Sequence, residues 1–494
     1  MGPKLDPMTL GELLHSRSTD NPSKTVLYCG EQTMSWEDLD RSTTRLAGWF
    51  LDQGLRSGDR VAIHWSNHIE TVQLFFGLWK AGLIAVPINV RLKPPEISYI
   101  LDHSQARMCF SEPALAQSGD LRELPRLEPA EVALPEVDPD QPAVILYTSG
   151  TTARPKGVTH THRTLIESGR LVASFHGGGD GTLVMTQMAH VSGLYYTLAA
   201  IYSGGSAVLL PAFQPAAVLD AIERFRCIYT FALPAMVHAI AEEQARKPRD
   251  ATSLRALSSG GDSVPVSLQE RVQDLFGVAL QELHGMTEAA VLIWNPKSAI
   301  RPGSLGVVMP GVDARIVDLN DCDVPDGEIG EIAVRYPGNC IGYWNDTQAT
   351  EALLRHGWLH TGDLASRDGD GYYWFQGRKK EIIIRGGSNI SPQEVEEALY
   401  QHPSVMEVGV VGVPDPILGE RVIAFVAVRP TDAPSEKELI EFARQRLADY
   451  KTPERILFIE QLPKGLTGKV QRRALKEMLI AQPDLIEQCA VAGV

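Results

Sequence analysis

Five turns of this chain hold the residues whose types and spacing suit chemistry. The first, YTSGTTARPKG (147–157), places four hydroxyls, Thr148, Ser149, Thr151 and Thr152, with Gly150, Pro155 and Lys156 behind the apolar run 143–146. Backbone N–H groups, hydroxyls and a cation in one turn make a cradle for an anion. The GxxxxGK[ST] pattern does not fit, because Lys156 follows Pro155 and precedes Gly157, and the glycines of 177–181 only approach GxGxxG. A plain surface turn is the alternative reading of this stretch alone. Four more turns follow: LHGMTEA (283–289), WLHTGDLA (358–365), GRKKEIII (377–384) and LPKGLTGKVQRR (462–473), each with one or two charged residues.

The elements that must position these turns alternate in type. Ser35 opens a helix with Asp38 as capping-box partner, Leu39, Leu46, Trp49 and Phe50 as its apolar face, and Gly54 at its end. RVAIHW then predicts a strand, followed by a helix to about Ala81, the strand IAVPI and the helix EISYILDH. Such alternation predicts a mostly parallel sheet covered on both faces, resuming at AVILY and running to about Leu283. Residues 112–142, rich in proline and acids, predict a surface connector. From Arg301, VDARIVDL, GEIGEIAVR and GYYWFQG are short strands between turns, an antiparallel, barrel-like piece. After GRKKEIIIRGG, Ser391 caps a helix with Pro392 first and Glu394 completing a capping box; two strands, a helix and a strand complete a small α+β unit. The expected class is α/β: a large N-terminal domain of layered α/β subdomains plus the barrel-like piece, residues 1–379, and a small α+β C-terminal domain, residues 380–494.

Composition bounds the function. The 494 residues are 44% hydrophobic and 22% charged with a net charge of -15, which argues against a nonspecific nucleic-acid binder but leaves room for a local basic pocket. Six cysteines without a CxxC pair suggest neither a zinc site nor a disulfide framework, and reduced thiols fit a cytoplasmic location. The first residues carry no secretory signal pattern, and the apolar stretch 74–88, interrupted by Lys80, is too short to span a bilayer. The sequence leaves the oligomeric state open, a homodimer included.

In combination and in this order, the motifs resemble those of the AMP-forming adenylating superfamily, which includes acyl-CoA synthetases, free-standing peptide-synthetase adenylation domains and beetle luciferases. The resemblance implies that Thr148, Ser149, Gly150, Thr151, Thr152 and Lys156 contact the β- and γ-phosphates of ATP. Ala153 stands where the family usually has glycine, at a cost of about 1 kcal/mol if that position needs a positive φ. It implies that His284, Gly285 and Met286 lie against the nucleotide, with His284 replacing a larger aromatic ring, that Thr287 touches the α-phosphate and that Glu288 binds Mg²⁺. Asp363 matches the acceptor of the ribose hydroxyls and Arg378 a ribose-side contact, while Asp262 has no defined role. Lys469 matches the lysine that bridges the attacking carboxylate and the α-phosphate. Lys380 matches a hinge about which a mobile C-terminal domain exchanges Lys469 for the loop of Arg385, Gly386, Gly387, Ser388 and Asn389, whose glycines would let a pantetheine arm pass.

For the acyl group, His190 matches a histidine near the substrate carboxylate. The residue after it is Val191, where amino-acid-activating relatives carry an aspartate, and an ammonium buried there unpaired costs several kcal/mol. The remaining pocket matches are Ser192, Phe231, Gly260, Gly261, Leu283, Gly285, Ala290 and Val291, with Gly260 expected to leave room. No arginine or lysine among them would hold a second carboxylate, which weighs against malonate-like acids. The expected protein is an AMP-forming acyl-CoA synthetase using ATP, Mg²⁺ and CoA on an uncharged aliphatic or aromatic carboxylic acid. The alternatives are a ligase that loads a carrier-protein thiol, an oxygenase that oxidises its own adenylate, and a nucleotide binder without turnover, against which Lys469, Glu288 and Asp363 together argue.

Overall fold

The strand–helix alternation up to Leu283 builds two sheets, where the sequence predicts one. The computed structural model of the chain describes residues 8–115, 121–122, 133–148, 154–176, 179–261, 264–429, 434–465 and 470–481. One sheet has seven strands, in the order Gly342–Tyr343, Lys156–Thr161, Pro142–Thr148, Ile84–Pro87, Arg60–His64, Met108–Ser111, Leu121–Arg122. The other has nine: Val307–Val308, Ala290–Trp294, Leu280–Met286, Ala256–Gly260, Tyr229–Ala232, Thr182–Val184, Ala207–Leu209, Thr25–Cys29, Gln32–Ser35. Their inner ladders are parallel, and each sheet turns antiparallel at the edge that carries a motif turn.

Five helices, Leu10–Asp20, Trp36–Asp52, Ile69–Lys80, His162–His176 and Val191–Tyr202, share one core with Val26 and Leu27 of the nine-stranded sheet and with Val61, Ile63, Val144 and Leu146 of the other. Ile69–Lys80 accordingly lacks a polar face; only Glu70 and Gln73 of it escape full burial. Buried Lys80 remains tolerable because its ammonium meets Asp40 Oδ1 at 2.5 Å and the Thr44 hydroxyl at 2.8 Å.

Two capping expectations hold in part. Ser35 caps Trp36–Asp52 by accepting the Asp38 N–H at 3.1 Å, but its hydroxyl donates to the Asp38 carboxylate, so the reciprocal bond of a capping box is missing. Ser391 and Pro392 open the helix Pro392–Tyr400 without a side-chain cap bond, and Glu394 instead holds Lys451 Nζ at 2.6 and 2.8 Å. A lysine offers that carboxylate a charge-assisted bond that a cap N–H cannot match.

The strands after Arg301 form the expected antiparallel piece. Asp313–Val317, Gly330–Arg335 and Trp358–Arg367 pair in that order, with Leu354–Arg355 and Tyr373–Arg378 on the last of them. A fourth sheet, Ser388–Ile390, Ile383–Arg385, Gly419–Val428 and Val405–Asp415, with Arg455–Phe458 parallel to Gly419–Val428, belongs wholly to the C-terminal part. Separate apolar clusters pack against it, one around Val395, Leu399 and Leu439, the other around Leu462, Leu475 and Leu479. Among the described residues no helix is long and apolar enough to cross a membrane.

Gly260, expected to leave room in the pocket, is also required by the backbone around it. It stands opposite Leu283 in a parallel ladder, and a Cβ there would meet the Leu283 carbonyl oxygen at 2.0 Å. The close approach of backbone to backbone demands glycine. Gly260→Ala is expected to lower the unfolding free energy by about 1–3 kcal/mol, as overpacking does. Denaturant midpoints check this, and an unchanged midpoint would show that the two strands can part freely.

Candidate active site

A hairpin tip of the nine-stranded sheet meets the edge of the seven-stranded sheet, beside the strands that flank the hydroxyl-rich residues. In the seven-stranded sheet Tyr147 pairs with Gly157 and Thr148 with Lys156, so the hydroxyl-rich turn is the tip of a hairpin and not a strand-to-helix turn. Ser149, Gly150, Thr151, Thr152 and Ala153 lie outside the described residues. Lys156 Nζ sits 4.7 Å above the Tyr343 ring and 4.0 Å from Asp346 Oδ2. In the nine-stranded sheet Met286 pairs with Ala290, which leaves Thr287, Glu288 and Ala289 as the tip. Ala290 closes it at φ 56°, the left-handed conformation that three-residue tips require. A Cβ on Gly285 would meet the Ala290 carbonyl at 2.2 Å, so the turn also needs that glycine.

The second tip is docked onto the first sheet. Tyr343 donates its hydroxyl to Glu288 Oε1 at 2.7 Å, Cys340 donates its N–H to the Glu288 carbonyl at 2.7 Å, and His160 Nε2 lies 2.8 Å from the Thr287 carbonyl. Burial raises the Glu288 carboxyl above the usual range, and the Tyr343 hydroxyl opposes that shift. Lys156, Tyr343 and Glu288 thus form one connected row.

Asp363 and Arg378 face each other on paired strands, with Arg378 Nε 3.0 Å from Asp363 Oδ1. Asp363 is 1% exposed, and its charge holds the Arg378 guanidinium more firmly protonated than usual. His284 Nε2 reaches Asp363 Oδ2 at 3.4 Å, and its ring lies 6.1 Å from that of Phe375. His284 therefore joins the strand Leu280–Met286 to the strand Trp358–Arg367, within which HTGDLA lies instead of forming the expected turn, a contact beyond the ring-stacking part expected of it. Each Asp363 oxygen retains a lone pair that can accept a hydroxyl. Glu331 holds this corner from behind, accepting the Gly362 N–H at 3.0 Å and Lys379 Nζ at 3.2 Å.

His190 has a structural part: its Nδ1 accepts the Ser192 N–H at 3.4 Å and caps Val191–Tyr202. Val191 and Ser192 form the first turn of that helix, half-buried. Phe231 is half-buried, its ring 5.7 Å from that of Tyr196. Leu283 and Ala290 are buried, and Val291 packs between two cores, as ordinary packing would have them. Gly261 is exposed at φ 84°, and Asp262 and Lys469 lie outside the described residues. Lys380 is exposed in the turn between Tyr373–Arg378 and Ile383–Arg385. Gly386 and Gly387, at φ 57° and 81°, form a two-residue hairpin turn between Arg385 and Ser388, a type that needs φ > 0 at both positions.

Sequence reasoning missed Tyr343, His160, Glu331 and Glu282. Tyr343 reaches the site through a long-range pairing, Gly342–Tyr343 on Val158–Thr159, that no local pattern announces. His160 had a weak signal, a histidine alternating with threonines two turns of strand beyond Lys156. Glu282 precedes Leu283 on the same strand, where burial and then Glu397 of the helix Pro392–Tyr400 push its carboxyl up to about 8.

A two-sheet α/β body, an antiparallel piece, a smaller C-terminal unit, a hairpin tip carrying buried Glu288 and a strand carrying buried Asp363 are the architecture of an AMP-forming adenylating enzyme. The chain belongs to the AMP-binding enzyme family, whose model matches residues 14–344, while residues 394–469 match the AMP-binding enzyme C-terminal domain. It is 37% identical to a feruloyl-CoA synthase of Amycolatopsis sp over 94% of this chain and 99% of that protein. It is 34% identical to a sulfoacetate–CoA ligase of Cupriavidus necator over 94% and 97%. The anthranilate CoA ligase AuaEII, solved in complex with anthranoyl-AMP, superposes with a TM-score of 0.87 at 29% identity, covering 96% of this chain and 98% of that one. The chain is an AMP-forming carboxylate–CoA ligase.

Glu282 has a pH consequence. An unfolded glutamate ionises near pH ~4.3, whereas folded Glu282 keeps its proton to about 8. The folded state binds the extra proton between those values, so this carboxyl favours folding below the lower one and loses that benefit as pH rises through the upper one. Glu282→Gln is expected to unfold later than the wild type, with a gain that grows from pH 5 to pH 8 and reaches at least ~1 kcal/mol, less than one pKa unit's worth. Denaturant curves over that range check it; parallel pH profiles for the two proteins would contradict it.

Proposed function

We propose that the enzyme activates an uncharged aromatic or aliphatic carboxylic acid in two half-reactions on this site. The observation that carries the reading is the row Lys156–Tyr343–Glu288 beside the Asp363–Arg378–His284 corner, a polyphosphate end and a sugar end of one nucleotide site. Lys156 and the hydroxyls of its hairpin tip hold the β- and γ-phosphates, Asp363 takes the ribose hydroxyls, and Thr287 donates to the α-phosphate. Lys469 draws the substrate carboxylate to the α-phosphorus; its oxygen attacks there and pyrophosphate departs. The CoA sulfur then attacks the acyl carbon and AMP departs with the bond electrons. Residues 380–494 act as the lid between the steps, pivoting at Lys380 and presenting the Gly386–Gly387 turn to the pantetheine arm.

Glu288 suits a hard cation shared with phosphate. It is a buried carboxylate with a single hydroxyl partner, Tyr343, and among the described residues no group of three or more acids, histidines or cysteines forms a cage. Glu288 would hold Mg²⁺ there, and the ion would supply neutralisation of the negative charge that develops on the phosphates. The ATP and CoA requirement supports a cytoplasmic location.

Val191 in place of a carboxylate and the absence of lysine or arginine among the pocket matches support an uncharged acid. The feruloyl-CoA synthase relative, the more identical of the two, favours an arylpropenoic substrate over a dianion such as sulfoacetate. The test is pyrophosphate release with MgATP over fatty, cinnamic and benzoic acids, malonate and amino acids, each with and without CoA. The expected result is multiple turnover that needs CoA, peaks on one uncharged class and is absent with malonate and amino acids. Stoichiometric release that CoA does not accelerate would move the acceptor to a carrier protein, and no release on any acid would overturn the reading.

A further inference from the structure

Thr287 is held by a histidine that the two half-reactions leave unused. His160 is 0% exposed and lies on the Lys156–Thr161 strand, four residues after Lys156. Its Nε2 is 2.8 Å from the Thr287 carbonyl oxygen and 3.2 Å from the Tyr195 hydroxyl, and its Nδ1 is 3.1 Å from the Thr164 hydroxyl. A carbonyl oxygen can only accept, so the ring proton sits on Nε2 and Nδ1 accepts from Thr164. Burial pushes the imidazole down to about 4, which keeps it neutral with that one proton. Tyr195, buried on the helix Val191–Tyr202, places its hydroxyl 3.5 Å from the same carbonyl.

The other carbonyls of the tip are taken up by backbone. Met286 accepts the Ala289 N–H at 3.2 Å and Glu288 the Cys340 N–H at 2.7 Å, which leaves the Thr287 carbonyl to side chains. That carbonyl lies in the rigid peptide plane joining the α-carbons of Thr287 and Glu288. Holding its oxygen sets the direction in which both side chains leave the backbone. An apolar side chain at 160 would fill the same space but leave that buried carbonyl only the longer contact from the Tyr195 hydroxyl, at 3.5 Å.

We infer that His160 is a positioning residue, which through its Nε2–H bond to the Thr287 carbonyl sets the Thr287 hydroxyl and the Glu288 carboxylate against the polyphosphate held by its own strand's hairpin. The inference rests on the roles proposed above for Thr287 and Glu288.

His160→Leu removes the donor at similar volume, and His160→Gln offers an amide N–H to the same oxygen. The expected result for His160→Leu is a fall of about tenfold or more in kcat for acid-dependent pyrophosphate release, a higher Mg²⁺ concentration at half-maximal rate and an unchanged KM for the acid. His160→Gln should recover most of the kcat and the Mg²⁺ dependence. A folded His160→Leu with wild-type kcat and Mg²⁺ dependence would overturn the inference, as would equal losses in both variants that merely track a lowered Tm. A readout without turnover stands beside these: nitrogen-15 NMR of histidine-labelled protein at pH 7 should show His160 as the neutral Nε2–H tautomer with an exchange-protected proton. An Nδ1–H tautomer or an imidazolium would overturn it. Failure of the wild type to release pyrophosphate on any acid would sink the functional reading instead, and the NMR signature would still decide the placement of the proton.

Discussion

The structure depends on the docking of one hairpin tip onto the edge of another sheet. The tip of Thr287, Glu288 and Ala289 brings an acid into the interior, where an ionised carboxylate is costly. What makes the position tenable is the neighbouring edge: the hydroxyl of Tyr343, the backbone N–H of Cys340 and the imidazole of His160 all meet the tip there. Tyr343 itself is delivered by two residues of pairing with the strand that carries Lys156. Because both partners of the row are spaced by one ladder, a shift of register in that ladder would separate the cation from the acid.

The same logic explains why the site concentrates features that do not favour folding. Ala290 sits in a left-handed conformation, Gly285 and Gly260 leave no room for a side chain, and Glu288 and Glu282 are buried acids with raised pKa. Such concentrations mark places where arrangement is maintained against local preference. The large shared core supplies the compensation, with helices such as Ile69–Lys80 buried between elements of both sheets. On the C-terminal side, Arg472, three residues after Lys469 in sequence, binds Glu381 at 2.9 Å and Glu396 at 2.8 Å. The segment after the lysine is thereby anchored beside the turn of Lys380.

Much of this was legible in the sequence because the motifs are local. The turns at 147–157, 283–289 and 377–384 lie at strand ends as their glycines and polar residues predict, whereas 358–365, expected as a turn, runs inside the strand Trp358–Arg367, where long-range pairing on both sides overrides its local turn signal; the change from alternating helices and strands to antiparallel strands after Arg301 is real. What could not be read was non-local. Periodicity marks a strand as buried but not which sheet it joins, so two sheets looked like one. The glycines also carry backbone duties that no local pattern announces: Gly260 answers to the Leu283 carbonyl, and Gly386 and Gly387 form a hairpin turn. The capping box at Ser391 failed because Lys451, distant in sequence, takes the Glu394 carboxylate. Tyr343 and His160 carry no motif at all; they matter through what the fold sets beside them.

The central claim is that tips from two different sheets work as one nucleotide site. A double-mutant cycle on acid-dependent ATP–pyrophosphate exchange, with Lys156→Ala, Glu288→Gln and the two combined, tests it most directly. Residues that grip the same phosphates act as a unit, so the combined variant should be little worse than the poorer single one, a coupling of about 1 kcal/mol or more. Losses that simply multiply would show that the two tips act independently and would contradict the account.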